Sequence, residues 1–175
     1  LVHGDLGLSA NCRSLDIAGA GRGFINGIEV AGQMIEAGVI EHALVVDGES
    51  AGEIVDNTIR RLHQPESTSQ DFWDNFATLT LGSAAVAMVL SRDDLARTSH
   101  RVNGSVSLSD TANNRLCLGT SERMVTDSTR LLKAGVTLAK QTWRKAADEL
   151  PNWSQATIDQ FVCHQVGKAH IAALC

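Results

Sequence analysis

Between residues 14 and 47 the chain passes from a short apolar stretch, through a glycine-rich turn, into an amphipathic segment and then a continuous apolar run. That order constrains the fold more than any other feature. Ser14–Ile17 reads as a strand. The turn is Ala18-Gly-Ala-Gly-Arg-Gly23. A helix over Phe24–Ala37 follows, because Phe24, Ile28, Ala31 and Ile35 recur every three or four residues. Gly38 is placed to end it as a left-handed cap. His42-Ala-Leu-Val-Val-Asp47 then reads as a strand buried on both faces, as in a parallel sheet. Strand, turn and helix alternating with apolar runs predict an α/β fold with mixed or mainly parallel sheets. In such sheets chemistry gathers where strand ends meet helix starts.

The rest of the chain fits that class. Ala51–Leu62 reads as a helix or a folded-back loop, Pro65–Gln70 as a loop, and Asp71–Ala77 as one or two helical turns. Leu79–Ser91 predicts strands interrupted by small residues, where backbones approach closely. Arg101–Ser109 alternates and predicts a strand. Thr129–Glu149 carries the longest apolar stripe, Leu132, Val136, Ala139, Trp143 and Ala146, with Asp127 or Ser128 to cap it. Asp159–His164 predicts a last strand leading into a helix at Lys168–Leu174. The chain starts at Leu1 and stops at Cys175 inside that helical pattern, so both ends read as cut.

Composition removes several function classes. There are 175 residues, 43% of them hydrophobic, with a net charge of −5. That is enough apolar matter for a core and too little charge for a disordered chain. The basic residues are scattered in an acidic chain, so nothing concentrates positive potential against nucleic-acid phosphates. No apolar run approaches the roughly 20 residues of a membrane span, and no signal peptide is visible. Cys12, Cys117, Cys163 and Cys175 form no CxxC pair and match no zinc spacing. They read as reduced thiols of a cytoplasmic protein. No metal and no cofactor is expected.

Few segments carry chemistry on residue type alone. Gly19 and Gly21 would need a third glycine at position 24 for a dinucleotide fingerprint, and that residue is Phe24. The turn therefore reads as close packing between strand and helix. His164, in Phe161-Val-Cys-His-Gln165, sits at a strand end. A general acid/base or oxyanion donor would stand there, and so would a satisfied buried histidine. Cys163 points to the opposite strand face, so no Cys–His pair is expected. The separation of His164 and His170 fits no helical metal pair. Cys12 and Cys117 read as packed small side chains. Asp47-Gly-Glu49 reads as a strand-end turn, the Arg60, Arg61 pair as solvated surface, and Trp73, Trp143 and Trp153 as core or interface anchors.

Five segments, in this order and spacing, resemble a known family: LDIAGAGRGFINGIEVAGQMIEAG (15–38), HALVVDGES (42–50), LTLGSAAVAMVLSR (79–92), SERMVTDSTRLLKAGVTLAKQTW (121–143) and DQFVCHQVGKAH (159–170). They are similar to the thiolase-fold condensing enzymes of the 3-oxoacyl-ACP synthase III group. The likeness is closest to the OleA-type branch, which joins two fatty acyl-CoA chains head to head. The resemblance implies layered αβαβα halves, cut here at both ends. It divides the chain into 1–95, the later part of a first half, and 96–175, the early part of a second. It also implies Claisen condensation of acyl thioesters, in fatty-acid or long-chain olefin synthesis. The partners would be acyl-CoA or acyl carrier protein thioesters and a second copy or homologue in a dimer.

By the same resemblance His164 takes the family histidine position, as a hydrogen-bond donor to a thioester oxygen. The family's nucleophilic cysteine falls on Gly21, within Asp16-Ile-Ala-Gly-Ala-Gly21-Arg22-Gly23-Phe24. Relatives carry Asp-Gly or Cys-Gly where this chain has Ser83 and Ala84, and the partner asparagine would lie beyond Cys175. Glycine offers no nucleophile, and such groups act as a unit. The expectation is therefore an acyltransferase-family chain with little or no condensing activity of its own. The alternatives are a nucleophile-less partner subunit of an active homologue, or a thioester decarboxylase using His164.

Overall fold

The computed structural model describes residues 2–19, 21–97, 100–120, 123–164 and 167–174. The chain forms two compact units, Leu1–Asp47 with Val86–His100, and Gly48–Ala85 with Arg101–Cys175. Ala20, Gln165 and Cys175, all named above, lie outside the described residues.

In the first unit a short α1 (Val2–Asp5) precedes α2 (Gly23–Glu36). The apolar spacing that predicts α2 buries Gly27 and Ala31 on one face. Gly38, at φ +69, ends it as expected. Val39 N–H donates to Met34 O and Gly38 N–H to Ile35 O, the paired bonds of a left-handed glycine terminus.

The helix rests on β1 (His42–Glu49), which pairs with β2 (Ala84–Ser91). A Cβ on Gly27 would stand 2.8 Å from Val45 Cγ1, so only glycine lets α2 approach that closely. At one end of the strand pair Arg92 N–H donates to Glu41 O, and His42 Nδ1 lies 2.9 Å from Ser91 Oγ. At the other end Gly48 lies beside Ala85. The two strands are therefore antiparallel, and no parallel pair of the kind the sequence predicts occurs among the described residues.

Burial corrects the reading of β1 as a strand covered on both faces. Ala43, Val45 and Asp47 are half-buried, whereas Leu44 and Val46 are 42% and 43% exposed. Successive side chains point to opposite faces, and α2 covers the Val45 face.

In the second unit α3 (Gly52–Leu62), α4 (Ser69–Asn75) and a short 3-10 turn (Thr78–Thr80) lead back to β2. Ala51–Leu62 is thus resolved as a helix. The loop expected over 65–70 ends two residues early, because Thr68 and Asp71 cap α4 reciprocally. Asp71 N–H donates to Thr68 Oγ1 (3.2 Å), and Thr68 N–H donates to Asp71 Oδ2 (2.9 Å). The Thr68 hydroxyl also donates to Asp71 Oδ2 (2.6 Å), and it, followed by Thr68 N–H, holds the Asp71 carboxyl below its usual pKa.

Arg61 is also a correction. It is not simply solvated surface, because its guanidinium donates to Oδ1 of the fully buried Asn75, whose Nδ2 donates to Asp71 O (2.7 Å). Buried Thr78 closes the same region by donating to Met124 O (3.2 Å). Ser83 Oγ accepts from Ala51 N–H (3.0 Å), tying the approach to β2 to the start of α3.

The hairpin β3 (Cys117–Gly119) and β4 (Met124–Thr126) pairs antiparallel, Cys117 against Thr126. It feeds α5 (Ser128–Glu149), where the Asp127 carboxylate accepts from Arg130 N–H (3.0 Å) as the expected cap. The chain reaches α6 (Lys168–Leu174) last.

Three expected strands are not strands here: Ser14–Ile17, Arg101–Ser109 and Asp159–His164 all lack a ladder partner among the described residues. Their neighbours explain why. Lys145 of α5 donates to Ser107 O (3.3 Å), and a Cβ on Gly104 would meet Leu150 at 2.7 Å. Phe161 packs its ring on Trp143 of α5 at 5.7 Å, and Trp153 sits 5.2 Å from the same ring. Both segments lie against a helix, where no strand offers donors and acceptors in register. Leu79–Ser91 is strand only from Ala84. Trp143 and Trp153 anchor this cluster as expected, while Trp73 is 61% exposed.

Candidate active site

The turn ahead of α2 is built from backbone bonds. Arg22 N–H and Gly23 N–H both donate to Gly19 O, at 2.8 and 2.7 Å. Gly23 approaches so closely that a Cβ there would stand 3.3 Å from Ile17 O, and one on Gly19 would meet Asn26 Nδ2 at 3.0 Å. The close-packing reading of the turn therefore holds for Gly19 and Gly23.

Gly21 differs from both. It is exposed, lies at φ +67, and has no other described residue within 4 Å of where a Cβ would stand. Its backbone is left-handed, a conformation that costs an L-residue roughly 1–2 kcal/mol.

Arg22 caps α2 without a side-chain bond to the helix backbone. Its guanidinium instead lies 3.5 Å from Asn26 Oδ1, one turn on, and Asn26 N–H donates to Arg22 O (2.9 Å). Asn26 thus meets both ends of the turn, a role the sequence reading misses although the i, i+4 spacing from Arg22 signals it. Position 21 stands one residue ahead of the N-cap, just outside the positive end of a 14-residue helix. That field would stabilise a thiolate or a developing oxyanion. Glycine supplies neither atom.

His164 ends the segment 159–164. It is exposed, which corrects the expectation of a histidine at the end of a buried strand. Val162 before it is 94% exposed, and Cys163 is half-buried. The side chains that fix this segment are Phe161 and Trp143, not a ladder. Gly21 and His164 belong to different compact units.

The cysteines behave otherwise than expected. Cys12 and Cys117 are exposed, although Thr126 Oγ1 donates to Cys117 Sγ at 3.4 Å. Among the described residues no group of three His, Cys, Asp or Glu gathers as a metal site would. Nor is any helix among them long and apolar enough to cross a membrane.

The 3-oxoacyl-(acyl-carrier-protein) synthase III family matches residues 15–111, more than half of the chain and inclusive of the glycine turn, α2, β1 and β2. This chain belongs to that family.

Two relatives extend the likeness over nearly the whole sequence. The acyl-CoA:acyl-CoA alkyltransferase of Xanthomonas campestris is 43% identical over 173 residues, 99% of this chain and 51% of the relative. That of Shewanella oneidensis is 38% identical over 177 residues, 94% of this chain and 50% of the relative. A crystal structure of a Cys-to-Ser variant of X. campestris OleA, with bound lauric acid and lauroyl-CoA, superposes with a TM-score of 0.95 at 43% identity. It covers 99% of this chain and 51% of that one. The fold is therefore thiolase-like, and the chain spans about half the length of the relatives it matches.

Proposed function

We propose that this chain is an OleA-type acyl-CoA condensing protein whose acyl-transfer step is disabled at residue 21. It holds acyl-CoA thioesters, works in the cytoplasm and pairs as a dimer. Its route is Claisen condensation of two acyl chains in fatty-acid or long-chain olefin synthesis.

One observation carries the reading. By the resemblance the family cysteine corresponds to Gly21, and what supports the reading is that Gly21 is exposed, in a left-handed conformation, one residue ahead of the N-cap of α2. In the competent reaction a thiolate at that position attacks the thioester carbonyl, the acyl group moves to sulfur, and the carbon–sulfur bond to CoA breaks to release CoA thiolate, which takes a proton from water. His164, carried over by the same resemblance, donates a hydrogen bond to the oxygen of the second thioester as its α-carbon turns nucleophilic. Without sulfur at 21 the first step has no acceptor, and the remaining groups cannot replace it.

The test is intact-protein mass spectrometry after incubation with lauroyl-CoA, on the longest polypeptide that carries this sequence. The expected result is no covalent acyl adduct on the native protein and one adduct on Gly21→Cys, removed by hydroxylamine. A stoichiometric adduct on the native protein would overturn the reading.

A second role, as the nucleophile-less partner of an active homologue, is favoured by apolar side chains left open in this chain. In α4 and its C-cap, Phe72, Trp73 and Phe76 pack ring against ring and stay 39%, 61% and 43% exposed. Such exposure is typical of surfaces that another polypeptide covers. Co-expression with X. campestris OleA tests it. Elution of the two as one species supports the role, and clean separation at micromolar concentration rejects it.

A further inference from the structure

We draw no further inference here: the strongest candidate, the groove of about 540 Å3 that Trp73, Phe76, Leu118 and Val125 line between α4, the β3–β4 hairpin and the start of α5, carries nothing, because nothing in the structure shows what covers its apolar mouth.

Discussion

Two kinds of region meet in this chain. The helices are tied down by bonds that each segment makes with nearby sequence. α2 has its glycine terminus, α4 its reciprocal cap, α5 its Asp127, and α3 is held to α4 through Arg61 and Asn75. The extended segments 14–17, 101–109 and 159–164 have no ladder among the described residues, and meet Gly23, Leu150 and α5 instead. The two positions proposed as reactive fall one in each kind. Residue 21 stands in a turn fixed by two bonds to one carbonyl, and His164 stands on an exposed segment.

Substitutions can break that contrast, beginning with the most costly. Asn75→Ala removes a fully buried amide and leaves the Arg61 guanidinium without its acceptor. A loss of about 2–3 kcal/mol is expected in urea unfolding. A loss as small as that of an exposed position would erase the distinction between tied and untied regions.

Gly27→Val comes next. Its Cβ would collide with Val45, and overpacking of this kind costs about 1–3 kcal/mol. The melting temperature should fall, and the paired Val45→Ala should restore part of it. No recovery would mean that α2 does not rest on β1 through this contact.

Thr68→Ala should cost about 1 kcal/mol by removing the cap of α4. This loss should depend on pH. The Asp71 carboxyl is held below its ordinary value in the folded chain, so its stabilisation is present above that value and disappears as pH falls through the folded pKa. The gap between the melting curves of the two proteins should therefore be widest near neutrality and narrow as pH falls below about 4, where the pH-independent Asp71 N–H bond to Thr68 remains. A gap that widened in acid would refute the capping account.

Smallest of all is His164→Ala, expected to change stability by less than about 0.5 kcal/mol, as for other exposed positions. A drop comparable to that of Asn75→Ala would show the segment to be held far more firmly than its exposure implies.

The same division explains what the sequence made legible. α2 and α5 follow from apolar positions repeating every three or four residues, and Gly38 and Asp127 mark their ends by local chemistry alone. The short loop before α4 is misjudged only because the Thr68-Ser-Gln-Asp71 box goes unread. Strands are another matter. Val102, Val106 and Leu108 alternate as a strand would, yet a ladder also needs a second backbone in register, and alternation carries no information about one. The segment lies against α5 instead. The burial of Asn75 and its tie to Arg61, 14 positions away, are likewise tertiary facts that residue type cannot supply. At the site the motif indicates position 21, while the Arg22–Asn26 contact and the left-handed backbone become visible only with coordinates.

The open surroundings of Gly21 bear on how this protein could be repaired or exploited. Because no other described residue crowds the place where a side chain would grow, a sulfhydryl introduced there has to overcome backbone strain of about 1–2 kcal/mol, with none of those residues to displace. A single replacement could thus equip the chain with a reagent-accessible handle at the mouth of a helix, ready for an acyl donor, a fluorophore or a cross-linker.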